Sequence, residues 1–457
     1  MHARAQREAR QHQKRIQRRT QSADPVEFFN ILTSPELLQT TEEHLPEHRE
    51  RCYPPTVALS MFLMQVLSED GSCQEAVNTW AARCALEGLS APSVHTGGYC
   101  KARGRLTQEL VSALVRRTAE LMEERVPEQW AWRGRCVKLI DGTTVSMPDT
   151  PANQARYPQS SRQAQGVGFP IARVVAVLSL ASGALHDAAI GPCVGKGGSE
   201  LGLLRGLLSA FEGGDIALGD ALYCNYFLIA ALQQRGVDVL FEQQGGRITD
   251  FRRGQRLGAR DHLVAWPRPR RPEWMSEQQY GALPKQLTLR ETQVGGRVLV
   301  STLLDAHAVC KQELLALYQR RWNVELDLRN IKTTLDMDVL SCRSPEMNEK
   351  QMWVFLLAYN LIRLLMAQAA SLAGLHPRQL SFKHAVQLWN CWVRFGLTSD
   401  PDQIRRLLQY ISSRRVGNRP ARHEPRARKR RPKPFPLLHV PRSQARQQLM
   451  ARYAAEA

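Results

Sequence analysis

Between residues 136 and 303 the chain alternates short β-type apolar runs with helical stretches, and that alternation confines this part to a mixed α/β fold. Strand-like runs cover 137–145, 171–180, 184–190, 216–219, 237–243 and 298–303. The second and third, joined at Ala181-Ser182-Gly183, read as a hairpin. Ser199 reads as the N-cap of a helix running to Ala210, and residues 223–235 form another helical stretch. On either side the texture is helical. Residues 57–67 make a dense apolar helix, and 106–124 repeat apolar residues at three- and four-residue intervals. Beyond the strands, 311–335 reads as one long helix and 351–370 as a second, apolar one. The 457 residues suit two or three domains and can bury a sizeable core.

Charge adds a second constraint. The chain carries a formal +19, which points to a polyanionic partner. Residues 1–19, 247–272 and 414–433 hold +6, +6 and +9, two more than the whole, so the remainder sits at −2. A nearly neutral body carries two basic tails and one basic internal segment. The run Arg426-Ala427-Arg428-Lys429-Arg430-Arg431 suits non-specific phosphate binding, which salt weakens steeply.

Several classes drop out. The ten cysteines include no C-x-x-C pair, which argues against a zinc ribbon or finger and for a reduced, cytoplasmic compartment. The Arg/Gln-rich N-terminus lacks the apolar core of a secretory signal. The longest apolar stretch, 352–370, is interrupted by Asn360, Arg363 and Gln368, so it reads as a buried helix and no membrane association is predicted. Residues 191–198 with Lys196 lack the phosphate-loop spacing, and His44-x-x-x-His48 encloses Pro46 without an H-E-x-x-H motif.

Three carboxylates then stand out. Asp141 follows Val137-Lys138-Leu139-Ile140 and Asp220 follows Ile216-Ala217-Leu218-Gly219, each at the end of an apolar run where a side chain can enter a cleft beside a sheet. Either alone also fits a turn or helix cap. Glu325 lies on the 311–335 helix. At about 100° per residue, Tyr318, Arg321, Glu325 and Lys332 fall within a stripe roughly 60° wide, beside an apolar stripe of Leu317, Val324, Leu328, Ile331 and Leu335. A solvated face with an Arg321–Glu325 pair is the plainer reading of that helix. Taken together, two aspartates and a glutamate flanked by cations offer the hard oxygen donors that magnesium takes. Two such ions about 3.5–4 Å apart activate one oxygen and stabilise another, while cations nearby hold phosphates.

The pattern Tyr318-x2-Arg321-x3-Glu325-x6-Lys332, in YQRRWNVELDLRNIK, resembles the signature of the cut-and-paste DDE transposases of the insertion-sequence-four family. The segments LIDGTTVSMPDT around Asp141 and ALGDALYCNYF around Asp220 resemble that family too, although Ala221 stands where many members carry a basic residue. The resemblance spans roughly residues 25–440. It implies a ribonuclease-H-like catalytic core with a mainly β insertion, preceded by a helical domain. On that reading 1–24 is a basic arm, 25–130 a helical DNA-binding domain, and 135–243 the first part of the core. Residues 244–296 are then the β-rich insertion, 297–370 the second part of the core with the catalytic helix, and 371–457 a C-terminal helical region and basic tail.

The resemblance also implies that Asp141, Asp220 and Glu325 bind two Mg2+ ions, with Mn2+ able to substitute, and that Tyr318, Arg321 and Lys332 contact phosphates. The implied reaction is hydrolysis at each end of the mobile element, a hairpin on the opposite strand, and attack of the freed 3′-hydroxyl on target DNA. Its partners would be the terminal inverted repeats, the target DNA and a second copy in a synaptic homodimer. A bacterial, nucleoid-associated location follows. Two further groups are candidate DNA contacts. Trp266 and Trp274, among Arg268, Arg270 and Arg271, suit either stacking on an unpaired base or packing of the insertion. Tyr99, Lys101, Arg103 and Arg105 suit either groove reading or a solvated basic helix start. The competing function is a catalytically silent DNA-binding repressor or a degenerate relic with the same fold.

Overall fold

The structure is a computed structural model that describes residues 53–86, 93–195, 197–397, 400–417 and 435–456, with positions 40, 43, 44 and 88. The arm 1–24, His48 and most of the basic run 414–433 lie outside the described residues. Helices α1 (Pro55–Leu67), α2 (Cys73–Leu86), α3 (Thr96–Arg105) and α4 (Gln108–Glu123) come first. Pro55 opens α1, where its missing N–H is no loss, and the Thr107 hydroxyl caps α4 by accepting from the Leu110 N–H at 3.1 Å.

The next elements are β1 (Val137–Ser146), α5 (Pro151–Arg156), β2 (Ile171–Ser179), β3 (Leu185–Pro192), α6 (Glu200–Arg205), β4 (Ile216–Gly219), α7 (Tyr226–Gln233) and β5 (Asp238–Glu242). Ser199 caps α6 as its sequence suggests, but the helix stops at Arg205 and a separate 3₁₀ turn, Leu208–Ala210, follows. Then come β6 (Gln255–Gly258), β7 (Asp261–Pro267), α8 (Glu277–Gly281), β8 (Gln286–Val294) and β9 (Arg297–Ser301). The chain ends through α9 (Lys311–Gln319), α10 (Asn323–Arg329), α11 (Pro345–Ala373), α12 (Phe382–Arg394), α13 (Pro401–Ser413) and α14 (Arg442–Glu456).

All nine of these strands join one sheet in the order β3-β2-β1-β4-β5-β9-β8-β7-β6. β1, β4 and β5 run parallel, while β2 and β3 form the antiparallel hairpin. These five strands make the ribonuclease-H-like core. The basic segment 244–296 adds β6, β7 and β8 to the same sheet through β9, so it lengthens the sheet instead of forming a layer of its own.

Period-two alternation sorts the strand residues between two apolar layers. Leu139, Ala176, Leu178 and Leu218 face the layer that includes α1, α4, α10 and α11; Ile140, Val175, Val177 and Ala217 face the layer of α6 and α7. Helix α11 is long and apolar enough to cross a membrane, yet it is largely buried within the protein. Its polar residues explain themselves by their partners. The Asn360 amide donates to Val115 O at 3.0 Å and Leu185 O at 2.9 Å and accepts from the Leu185 N–H at 2.8 Å, joining α4, β3 and α11. Arg363 donates to the fully buried Asp327 of α10, which also accepts from Arg378 at 2.8 Å.

The stretch expected as one helix, 311–335, is instead a helical path broken twice. A 3₁₀ turn at Arg320–Trp322 separates α9 from α10, and a π-helical segment follows at Asn330–Thr334. The Leu335 N–H reaches back five residues to Asn330 O at 3.0 Å. Tightening at one break and underwinding at the other rotate side chains away from a uniform 100° step, so Tyr318, Arg321, Glu325 and Lys332 do not share one ideal stripe.

Removing one partner from a buried charge network leaves the others uncompensated, at a cost of about 3–5 kcal/mol. Asp327→Ala is therefore predicted to lower unfolding stability by that amount in denaturant titrations, whereas Asp149→Ala, in the loop after β1, should change it by less than about 0.5 kcal/mol. Equal effects of the two would contradict the anchoring role given to Asp327.

Candidate active site

The parallel ladder between β1 and β4 pairs Val137 with Ile216, Lys138 with Ala217 and Leu139 with Leu218, and there it ends. Asp141 and Asp220 each lie two residues beyond the last pair, on the side of the sheet that Leu139 and Leu218 face. Asp141 lies inside its strand, as the run 137–145 suggests. β1 continues to Ser146 on β2 alone, with Asp141 opposite Ala176. From β1 the chain leaves toward β2 on one side, and from β4 it leaves toward β5 on the other. Ligand crevices form at such a divergence, outside the carboxyl ends of parallel strands.

Asp220 caps the 3₁₀ turn Ala221–Tyr223, one carboxylate oxygen accepting from the Leu222 N–H at 2.9 Å. The preceding Gly219 is required by crowding, because a β-carbon there would stand 2.8 Å from Tyr223 and 3.2 Å from Phe241. Helix α10 brings Glu325 to the crevice, which has a volume of about 350 Å³ and is lined by Asp141, Gly142, Thr143, Glu325, Leu328, Arg329, Lys332, Thr333 and Asp338. Arg321 donates to Glu325 at 3.2 Å, as the i,i+4 spacing suggests. It does more than that, because Asp141 and Asp220 also act on its guanidinium and help hold its charge. One cation thus answers three carboxylates, which ties Asp220 electrostatically to the other two.

Asp141 records the crowding. Burial first, then the carboxylates of Asp220 and Glu200, push its carboxyl up to about 6, against the opposing pull of the Gly142 N–H and Arg321. Glu200, the first residue of α6, is a fourth acid that the sequence did not flag. Its carboxylate accepts from the Tyr223 hydroxyl at 3.3 Å, lies 3.6 Å from Arg173, and occupies the space that a β-carbon on Gly142 would need. The available signals were the glycine directly after Asp141 and the Ser199 cap that fixes where α6 begins.

The other candidates divide. Lys332 lines the crevice and pairs with Asp338 at 2.8 Å. Tyr318 is buried, its hydroxyl donating to Glu242 of β5 at 2.8 Å, so in this structure it faces the sheet and not a phosphate. On α3, Lys101 and Arg105 are exposed, while Tyr99 and Arg103 are not. The Tyr99 hydroxyl and the Arg103 guanidinium both donate to Gln65, at 2.8 and 3.2 Å, and Arg103 stacks 4.6 Å from the Phe62 ring. The reason is helical periodicity: 99 and 103 are one turn apart on the inward face, and 101 and 105 one turn apart on the outward face. Tyr99 and Arg103 are thus core residues, a correction to their reading as DNA contacts.

Trp266 is corrected in the same way. It is 4% exposed, donates its indole N–H to Glu291 at 2.7 Å, and is covered by the Arg247 guanidinium at 3.7 Å. In this structure the ring packs within the sheet's edge, against Arg247. Exposed aromatics occur instead at Trp274 and at Trp322, the residue next to Arg321.

The raised Asp141 carboxyl gives a signed prediction. Its folded form holds the proton more tightly than the unfolded chain, so this group's contribution to stability falls as pH rises from about 4 through about 6. In metal-free protein at pH 8, Asp141→Asn should melt higher than wild type, by at most about 3 kcal/mol of stability, with the gap closing toward pH 4. Melting curves across that range check it; a gap independent of pH would contradict the crowding account.

The sequence is similar to known transposases. The transposase DDE domain family matches residues 132–361, which span all three carboxylates. Transposase InsG for insertion sequence element IS4, from Escherichia coli strain K12, is 30% identical over 359 residues, covering 76% of this chain and 79% of that protein. A piggyBac transposase synaptic complex with hairpin DNA aligns over 84% of this chain and 82% of its own, at 11% identity and a TM-score of 0.43. On the strength of the domain match and the IS4 relative, the chain belongs to the DDE transposases of the IS4 family.

Proposed function

We propose that this chain carries out cut-and-paste movement of its own insertion sequence, hydrolysing a phosphodiester at each element end and joining the freed 3′-hydroxyl to target DNA. The observation that carries the reading is the placement of Asp141 and Asp220 two residues past the last β1–β4 pair, with Glu325 on the facing helix and Arg321 among them. An arrangement that raises Asp141 to about 6 is unfavourable as it stands and improves when divalent charge enters. Its donors are all carboxylate oxygens, the chemistry that magnesium takes and manganese tolerates. When bound, two such ions would supply activation of the attacking oxygen and stabilisation of the leaving one.

The chain's own groups do the rest. Asp141, Asp220 and Glu325 would hold the ions. Arg321, relieved of neutralising three acids, would turn its N–H groups to a backbone phosphate. Lys332, at the crevice wall, would exchange Asp338 for a second phosphate. Tyr318 would reach one only by giving up Glu242, which Arg297 can then satisfy alone. Glu200, held by Tyr223 and Arg173, would keep Asp141 aimed across the crevice. Two copies would pair the element's terminal inverted repeats in a synaptic dimer, with the opposite strand cut through a hairpin, on the nucleoid of a bacterial cell.

The deciding experiment incubates the full-length protein with the element's own terminal DNA and Mg2+. Wild type should nick the ends and yield joined product, and Glu325→Ala should bind the same DNA while losing nicking by at least about 1,000-fold. If wild type binds the ends and never nicks them, the silent-repressor reading takes over; nicking without joined product reduces the chain to a nuclease.

DNA binding gives a second prediction. Lys101→Ala with Arg105→Ala should weaken binding about evenly across sequences and flatten the dependence of affinity on salt by roughly one to two ions. Filter binding at several salt concentrations checks this, and an unchanged slope removes the outward face of α3 from the interface.

A further inference from the structure

Among the described residues, one mixed group of metal-ligating side chains stands apart from the carboxylate crevice. Glu123 ends α4, Cys136 precedes β1, and His186 is the second residue of β3. Their donor atoms all lie within 4.8 Å of one another. Asp141 lies five residues further along β1 from Cys136, about 17 Å at the rise of a strand, so the two places are distinct.

The hydrogen bonding there is incomplete in one specific way. The Ser182 hydroxyl donates to one Glu123 oxygen at 2.6 Å, and the Cys136 thiol donates to the other at 3.4 Å. Nε2 of His186 is buried with no hydrogen-bond partner. Buried polar atoms left unpaired are uncommon and call for an explanation. Lys138, whose charge acts on His186, does not supply one, since it is engaged by Asp215 at 2.8 Å and by Ala210 O at 2.7 Å.

We propose that Glu123, Cys136 and His186 form a binding site for one zinc-type divalent cation, which joins the helical region to the first and third strands of the core. The donor set is one oxygen, one sulfur and one imidazole nitrogen, and softness favours zinc over magnesium for it. Zn–S near 2.3 Å and Zn–O near 2.0–2.2 Å give a tetrahedral edge of about 3.5 Å, and the Cys136 sulfur already sits 3.4 Å from the Glu123 oxygen. Binding sends the Cys136 thiol proton to solvent, replaces the thiol–carboxylate hydrogen bond with two ligand bonds, and gives the stranded imidazole nitrogen its partner. Ser182 fixes the carboxylate from outside, the usual part of an outer-shell hydroxyl. A water completes the four positions. Because the ligands come from α4, the lead into β1, and β3, the ion would act as a staple and not as a second reaction centre.

The test uses full-length protein freed of metal and refilled with Co2+, whose thiolate complexes absorb in the near ultraviolet. Wild type should show one equivalent of this band, and Zn2+ should displace it. Asp141→Asn and Cys342→Ser should leave it in place. Cys136→Ala should abolish it, and His186→Gln should weaken Co2+ binding by more than the 10–100-fold typical of outer-shell losses. The proposal is overturned if wild type gives no thiolate band, or if the band survives Cys136→Ala. Should Cys136→Ala fail to fold, the wild-type spectrum and the His186→Gln titration still decide: unchanged affinity in His186→Gln also overturns it.

Discussion

The parallel ladder between β1 and β4 ends after three pairs, and the geometry of the candidate site depends on that ending. Up to Leu139 and Leu218 the strands are buried on both faces as parallel strands are, the one charge, Lys138, being paired with Asp215 at 2.8 Å. Past that pair β1 keeps only β2, β4 turns at Asp220, and a crevice opens between them. Two aspartates in matching register then stand side by side on one face. Among the described residues Arg321 acts on both, and the raised Asp141 carboxyl records the crowding that remains. Crowding of this kind is retained where a ligand relieves it.

Holding Glu325 opposite those aspartates is a separate problem, because α10 is seven residues long and interrupted at both ends. Its rigidity comes from Asp327, two residues after Glu325 and fully buried between Arg363 and Arg378. Arg378 donates as well to Ser179 O at 2.8 Å and Leu180 O at 2.6 Å, at the end of β2. One carboxylate therefore links α10 to the central helix and to the sheet. Charges so deeply buried are weak contributors to net stability, but removing one partner is costly, and that asymmetry fixes position. The same long helix uses Asn360 to fasten α4 and β3. Two of the residues that broke its apolar run in the sequence, Asn360 and Arg363, lock it into place.

Much of this was legible beforehand, for identifiable reasons. Asp141 and Asp220 each close a five-residue run, and the structure pairs the first three positions of those runs in register. The hairpin, the Ser199 cap and the buried nature of 352–370 followed from local turn chemistry, capping and composition. What failed depended on information that no local pattern carries. A uniform helical wheel could not anticipate a 3₁₀ turn and a π segment, which are set by packing against α11 and the sheet. Basic and aromatic residues on α3 looked alike until the fold chose the inward face, taking Tyr99 and Arg103 for the core and leaving Lys101 and Arg105 outside. Trp266 was drawn inward by Glu291, an acid 25 residues away in the chain. Glu200 was invisible because its place over Gly142 arises only when α6 packs on β2.

On the reading proposed above, register past a short parallel ladder gathers Asp141, Asp220 and Glu325 into one site for divalent cations. Anomalous diffraction from crystals of the protein grown with its terminal DNA and Mn2+ addresses that claim directly. The expected result is anomalous density within coordination distance of all three carboxylates, about 2.0–2.3 Å from their oxygens, with Arg321 moved off Glu325 toward a phosphate. Manganese density elsewhere with none among these three side chains, in crystals where the DNA end lies in the crevice, would contradict it.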